Sequence, residues 1–274
     1  MKRLRRRSFR RLVWPLLIVI SVGAGTGVWP IDLGGVLGGL PRELSALSSL
    51  PGKLGDLWQS RKSTAVDENI GALLAQLTVV DSLPNVTGYE RGCSRSQACS
   101  FGPAWSDPSD HSACSTRDRI LRVQLTDVVF AADLHECRIE SGTLHDLYTG
   151  DVVHYSASGG TAVHIDHLFA VHRAWNAGAW HWDQSRRAAF ANDPVNLLAV
   201  SARANLSKGD AGLDWLPPNQ GYRCAYIARY LAVAVVYDLA ITISDRDVAQ
   251  SQCPAGATIA SEFAGMPHAV LTGG

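Results

Sequence analysis

The chain has 274 residues, 46% of them hydrophobic, which is enough to bury a real core and excludes a disordered polymer. Its formal net charge is zero, yet seven of its 25 Lys and Arg residues fall within residues 1–11, with no acid among them. The other 18 face 25 acidic residues, a net of −7. That excludes a broadly basic coat for nucleic acid and leaves only a local patch for such a partner.

In chain order, the basic start (Lys2, Arg3, Arg5, Arg6, Arg7, Arg10, Arg11) precedes an apolar run over residues 12–29, LVWPLLIVISVGAGTGVW. Cations followed by such a run are the pattern of a signal peptide or an N-terminal membrane anchor. No clean small-x-small cleavage site follows, which favours an anchor with its positive end inside. Either way the remainder is expected outside the cytoplasm, secreted or anchored to the cell membrane with its folded domain outside. Residues 30–64, rich in Gly, Leu, Ser and Pro, read as a linker. One domain is expected over 65–253 and a flexible tail over 254–274.

Six cysteines follow the export signal and none forms a CxxC pair, so disulfides are expected, and iron–sulfur or zinc-ribbon centres are not. Spacing leaves the connectivity open. Pairing by proximity alone gives Cys93–Cys99, Cys114–Cys137 and Cys224–Cys253.

Ile70, Leu73, Leu74 and Leu77 form a stripe that predicts a helix over 65–80, ended by Pro84. Residues 85–118 read as a loop, and 119–130 as helix passing into strand. CRIE, TLHDLY and VVHYS, with turns expected at Ser141-Gly142 and Thr149-Gly150-Asp151, read as an antiparallel meander. TAVHIDHL is then a strand ending at Asp166-His167. Helices are predicted over 169–178 and 184–191, broken at Asn192-Asp193-Pro194. NLLAVS (196–201) is a short strand, and 202–208 a short helix stopped by Gly209. Residues 222–239 form a strong helix with an apolar face of Ala225, Ile227, Ala228, Leu231 and Val235.

Seven of the nine histidines lie between 135 and 181. His135, His154, His172 and His181 have a structural reading, since a sheet histidine usually satisfies a hydrogen bond. In a strand, His164 and Asp166 share a face and His167 points the other way, so Asp166 and His167 converge only if the strand breaks there. Asn205 and Lys208 are three apart and share a helix face. An oxygen ligand, a general base, an amide to hold that base and a lysine for phosphate are what metal-dependent phosphodiester cleavage needs.

The order Asp-His, Asn, Asn-x-x-Lys resembles the HNH, or His-Me finger, nucleases. The longer set DH-x6-AW-x-x-GA, FANDPxNLxAV, N-x-x-KGD, WLPPN and YRCAYxAR, with GYxR, TRxxxL and SGTLHDxYTG upstream, resembles a narrower family. It is the secreted HNH endonucleases that share their domain with the C-terminal part of GmrSD-type restriction enzymes. The likeness covers about residues 70–253. It implies an α+β fold with a ββα-metal core: strands near 162–167 and 196–201, a helix from 202, antiparallel strands, flanking helices and disulfides. It implies that Asp166 and Asn205 hold one divalent ion, Mg²⁺ or Mn²⁺, that His167 activates water, and that Asn196 positions the His167 loop. Lys208 would contact phosphate, and the substrate would be nucleic acid, with DNA the first expectation. Asn205 stands where many members carry His. An amide oxygen is still a hard ligand, which keeps Mg²⁺ or Mn²⁺ in place and disfavours zinc.

Plainer readings compete. Trp175, Trp180 and Trp182 fit core packing better than base stacking, and Arg186 and Arg187 fit a solvated helix face as well as phosphate contacts. His145-Asp146 reads first as a brace for the sheet. A non-catalytic cell-envelope binding module on the same fold is the main alternative. A zinc hydrolase using His164, Asp166 and His167 is another, although three ligands so close along one strand make a cramped set.

Overall fold

In a computed structural model, the structure describes residues 70–93, 99–112, 114–132, 137–160 and 162–253. The expected leader, linker and tail, the start of the first predicted helix and His135 lie outside the described residues. Helix α1 (Ile70–Ala75) ends earlier than its stripe predicts. The chain beyond it turns extended, because Thr78, Val79 and Val80 are β-branched and favour strand. Val79-Val80 (β1) pairs in parallel with Ile241-Thr242, while Leu74 and Leu77 still pack on the core.

Helix α2 (Thr116–Gln124) is capped by Ser115, whose side chain accepts from the Asp118 backbone N–H, and runs straight into β2 (Leu125–Phe130). Strands β2, β3 (Ile139–His145) and β4 (Val152–Ser156) form the expected antiparallel meander. One turn is not where the sequence placed it. β3 continues through Ser141-Gly142, and a Cβ on Gly142 would lie 3.0 Å from Leu125 Cδ1 and 3.2 Å from the Thr126 carbonyl. Glycine here admits a close neighbouring strand, and the irregularity sits in β2, where Asp127 takes φ 51 and the register shifts. The Thr149-Gly150-Asp151 turn forms, with Gly150 at φ 82.

Strand β5 (Val163–His167) is followed by α3 (Val171–Asn176), a 3-10 turn at Ala179–His181, and α4 (Gln184–Asn192) capped by Asp183. After a second 3-10 turn (Pro194–Asn196) comes β6 (Leu197–Ser201), antiparallel to β5 with Ile165 opposite Ala199 and Asp166 opposite Leu198. Ser201 caps α5 (Ala202–Lys208), which stops at Gly209 with φ 58. Helix α6 (Arg223–Tyr237), β7 (Ile241–Thr242) and α7 (Ile243–Gln252) complete the domain, an α+β fold stapled by Cys93–Cys99, Cys114–Cys137 and Cys224–Cys253, the pairs that proximity suggested. The sheets are antiparallel apart from the short β1–β7 pair.

Helix α6 is buried on more than the predicted face: every residue from Tyr226 to Tyr237 is in the interior. A helix apolar all round belongs at the centre of a core, and here it anchors the larger of two clusters. The smaller cluster joins α2 and the meander. The β5–β6 ribbon separates them. Val163, Ile165, Leu197 and Ala199 face the small cluster, while Leu198 and Val200 face the large one. Burial on both faces explains why β6 reads as an unbroken apolar run rather than an alternation.

Four interior tyrosines, Tyr148, Tyr226, Tyr230 and Tyr237, have phenol pKa values raised above the ordinary value, first by burial and then chiefly by neighbouring carboxylates. A raised folded-state pKa contributes stability that is complete below the unfolded value, about 10, and is lost as pH climbs towards the folded value. We therefore expect these phenols to ionise together with alkaline unfolding. Ultraviolet absorbance and circular dichroism recorded on one pH titration check this, and a tyrosinate signal well ahead of unfolding would contradict it.

Candidate active site

The end of the β5–β6 ribbon gathers the predicted residues, on two sides. Asp166 faces α5 and is 5% exposed. Its Oδ1 accepts from Lys208 Nζ at 3.0 Å and its Oδ2 from the Tyr148 hydroxyl at 2.6 Å. Lys208 is 2% exposed and donates also to the His167 carbonyl at 2.8 Å. Its ammonium is thus turned into the protein, away from a phosphate at the surface. One helical turn earlier, Asn205 Nδ2 donates to His164 Nδ1 at 3.2 Å, and Asn205 Oδ1 makes no hydrogen bond among the described residues. Asn205 and Lys208 therefore lie along one face of β5, Asn205 over His164 and Lys208 over Asp166.

His167 projects to the opposite face. Its Nε2 lies 2.8 Å from the Ala191 carbonyl, and its ring stacks on Trp105 with centroids 5.8 Å apart and planes at 12°. A carbonyl can only accept, so Nε2 carries the proton and Nδ1 keeps its lone pair. Burial is the largest influence on this imidazole and lowers its pKa, against the opposing pull of the Ala191 carbonyl and the Asp166 charge. The neutral, proton-accepting form is the one favoured.

Asn196 is fully buried and grips the turn after His167. Its Oδ1 accepts from the Phe169 N–H at 2.8 Å, its Nδ2 donates to the Phe169 carbonyl at 3.2 Å, and its own carbonyl accepts from the Leu168 N–H. Arg229, from the central helix, holds that segment in turn by donating to the carbonyls of Pro194, Val195 and Leu197.

A two-stranded ribbon is marginal alone, and its unpaired backbone groups need partners. Side chains supply them. Gln124 donates to the Leu197 carbonyl and accepts from the Ala199 N–H, Arg117 donates to the Val163 carbonyl, and Asp146 accepts from the Ser201 N–H. Asp146 also accepts from the Tyr148 N–H and the Thr149 hydroxyl, the bracing role read for it, while His145 is exposed.

Sequence reasoning passed over Tyr148, Arg229 and Trp105. The first two stand inside quoted motifs, in SGTLHDLYTG and YRCAYIAR, so the only signal was their presence there. Among the tryptophans, Trp175 is in the core and donates to the Val86 carbonyl, Trp182 is partly buried, and Trp180 is 42% exposed. Neither Arg186 nor Arg187 forms a merely solvated face. Arg186 lies over the Trp182 ring and donates to the Tyr237 carbonyl, and Arg187 donates to the carbonyls of Ser100 and Trp182.

The donor set can be weighed against a metal. Among the described residues no group of three His, Cys, Asp or Glu is arranged to hold one, and His167 lies across the ribbon from His164 and Asp166. A closed zinc centre therefore does not fit. One carboxylate and one amide are hard oxygen donors of the type that suits Mg²⁺, which keeps most of its own water, and here both Asp166 oxygens are already bonded to Lys208 and Tyr148.

The molecule is thus a disulfide-stapled α+β domain in which a ribbon, the turn ahead of its second strand and the helix after it carry Asp166, His167, Asn196, Asn205 and Lys208. The sequence pattern described as the GmrSD restriction endonucleases, C-terminal domain, matches residues 115–248. A protein of Arthroderma benhamiae described as an uncharacterized secreted protein is 34% identical over 183 residues, covering 66% of this chain and 81% of the relative. No solved structure matches. The chain belongs to the family of the GmrSD C-terminal domain.

Proposed function

We propose that this protein is an extracytoplasmic endonuclease of the HNH, His-Me finger type, hydrolysing phosphodiester bonds of nucleic acid, with DNA the first candidate. The observation that carries the reading is the state of His167. The Ala191 carbonyl accepts a hydrogen bond from Nε2–H, so Nδ1 is left as a base at the end of β5, on the face opposite Asp166. Family membership, three disulfides and a relative described as secreted support the nuclease class and the compartment.

In this reading His167 Nδ1 removes a proton from the attacking water, a contribution of about 10²–10⁴-fold. Asn196 fixes the 168–170 turn and with it the imidazole position. Asp166 and Asn205 would hold the divalent ion, Mg²⁺ or Mn²⁺. Such an ion would supply Lewis-acid stabilisation of the charge that develops on the phosphate oxygens and the leaving group. Lys208 ties the β5 end to α5 through the His167 carbonyl, and an ion on Asp166 would have to displace its ammonium from Oδ1. If the N-terminal segment is retained, the domain acts at the outer membrane surface; if it is cleaved, in the medium.

Closed circular DNA and closed circular RNA test the activity, since neither has an end for an exonuclease. Conversion of either circle to linear product with Mg²⁺ or Mn²⁺ is expected. Circles left intact with every metal would favour the alternative, a cell-envelope binding module. The ligand assignment has its own test. Asn205→Asp adds a charge at the proposed ligand and is expected to tighten Mn²⁺ binding by on the order of tenfold, read by electron paramagnetic resonance. Unchanged affinity would remove Asn205 from the ligand set.

A further inference from the structure

The two contacts that hold the His167 ring come from segments far apart in sequence. One is the carbonyl of Ala191, in α4, and the other is the indole of Trp105, in the loop ahead of α2. A single buried side chain ties those segments together. Asn192, next to Ala191, is 1% exposed and donates through Nδ2 to the Ser106 carbonyl at 3.1 Å, next to Trp105. The same Nδ2 donates to the Ala188 carbonyl at 2.9 Å, and Asn192 Oδ1 accepts from the Thr116 hydroxyl at 2.6 Å. Thr116 in turn donates its backbone N–H to the Trp105 carbonyl at 3.1 Å. Trp105 itself has φ 60, a left-handed backbone that a bulky L-residue rarely adopts. Hydrogen bonds to its own carbonyl and to that of Ser106 hold that conformation, and its effect is to lay the indole parallel to the imidazole.

We infer that Trp105 and Asn192 are positioning residues for His167, forming a clamp that fixes the imidazole in one orientation and one tautomer, Nε2–H towards Ala191 and Nδ1 bare. The inference rests on the nuclease reading only for its catalytic consequence. The clamp itself is a property of the ring. A general base must present one particular nitrogen along one direction, and an imidazole free to turn about its side-chain torsions presents each nitrogen only part of the time. The stacked indole blocks rotation of the ring plane, and the Ala191 carbonyl selects which nitrogen keeps the proton. Neither Trp105 nor Asn192 needs to touch substrate.

The test reads the ring directly. Long-range ¹⁵N–¹H correlation spectra of the full chain, disulfides intact and at about pH 8 so that histidine is neutral, report the protonated nitrogen of each imidazole. His167 is assigned by the signals lost in His167→Gln. The wild type is expected to show the pure Nε2–H pattern, Trp105→Leu a pattern averaged between tautomers, and Trp105→Phe the wild-type pattern, because a phenyl ring can still stack. Thr116→Val, which removes one tie to Asn192, is expected to average the pattern as well, and it carries the comparison if Trp105→Leu fails to fold. In nucleic-acid cleavage, Trp105→Leu is expected to lower kcat about 10–100-fold with KM unchanged. A wild-type His167 carrying its proton on Nδ1, or a Trp105→Leu spectrum identical to wild type, would overturn the clamp. A fixed Nε2–H ring in a protein that cuts no nucleic acid would support the clamp and end the nuclease reading.

Discussion

His167→Ala is expected to reduce nucleic-acid cleavage by about 10²–10⁴-fold, the usual contribution of a positioned general base. The size of the loss follows from the absence of a substitute. His164 lies on the other face of the ribbon, against Asn205, and His172 is paired with Asp210 at the surface. Neither reaches the position that His167 Nδ1 holds. The fold should persist, since the substitution removes one stacked aromatic contact and one hydrogen bond, together about 1–2 kcal/mol. Circular dichroism and thermal unfolding verify that, and cleavage rates at saturating substrate give the catalytic effect. A variant that is folded and cuts as fast as the parent would show that His167 is not the base.

The second large effect is on stability. Lys208→Met is expected to destabilise the domain by about 3–5 kcal/mol, because it strands the buried Asp166 carboxylate with the Tyr148 hydroxyl as its remaining side-chain donor. The ammonium also bonds the His167 carbonyl, so the end of β5 loses its tie to α5. Combining Lys208→Met with Asp166→Asn should recover a substantial part of the loss, since the stranded charge is then gone. Denaturant unfolding of the parent, both single variants and the double variant measures the coupling directly. A single-variant loss near zero would mean that the ion pair contributes little and that α5 is held by its other contacts, such as the packing of Ala204 and the Asn205–His164 hydrogen bond.

Much of the site's frame is legible in the sequence. β5, α4, β6 and α5 end close to where the apolar runs, Asn192-Asp193-Pro194 and Gly209 place their ends, because those punctuation residues act locally. Short-range cysteine proximity predicted all three disulfides. What escaped was set by long-range packing. Lysine is normally exposed, so nothing local told that Lys208 would turn inward to a carboxylate 42 residues away. Tyr148 stands beside His145-Asp146, whose titratable groups drew the reading, yet it is the phenol that reaches Asp166. The helix over 223–237 reads as amphipathic, and only the sheets and helices around it bury its other side. Trp105 sits in a loop with no periodicity, and its place over His167 depends on Asn192, far along the chain.

Metal-assisted cleavage at the end of β5 is tested most directly by one measurement. The purified full chain, with its disulfides formed, is incubated with supercoiled plasmid in Mg²⁺, Mn²⁺, Zn²⁺ or EDTA, alongside His167→Ala prepared identically. Nicking with Mg²⁺ or Mn²⁺ that EDTA abolishes and His167→Ala loses is the result predicted. Equal nicking by both proteins, or intact plasmid with every metal, would contradict it.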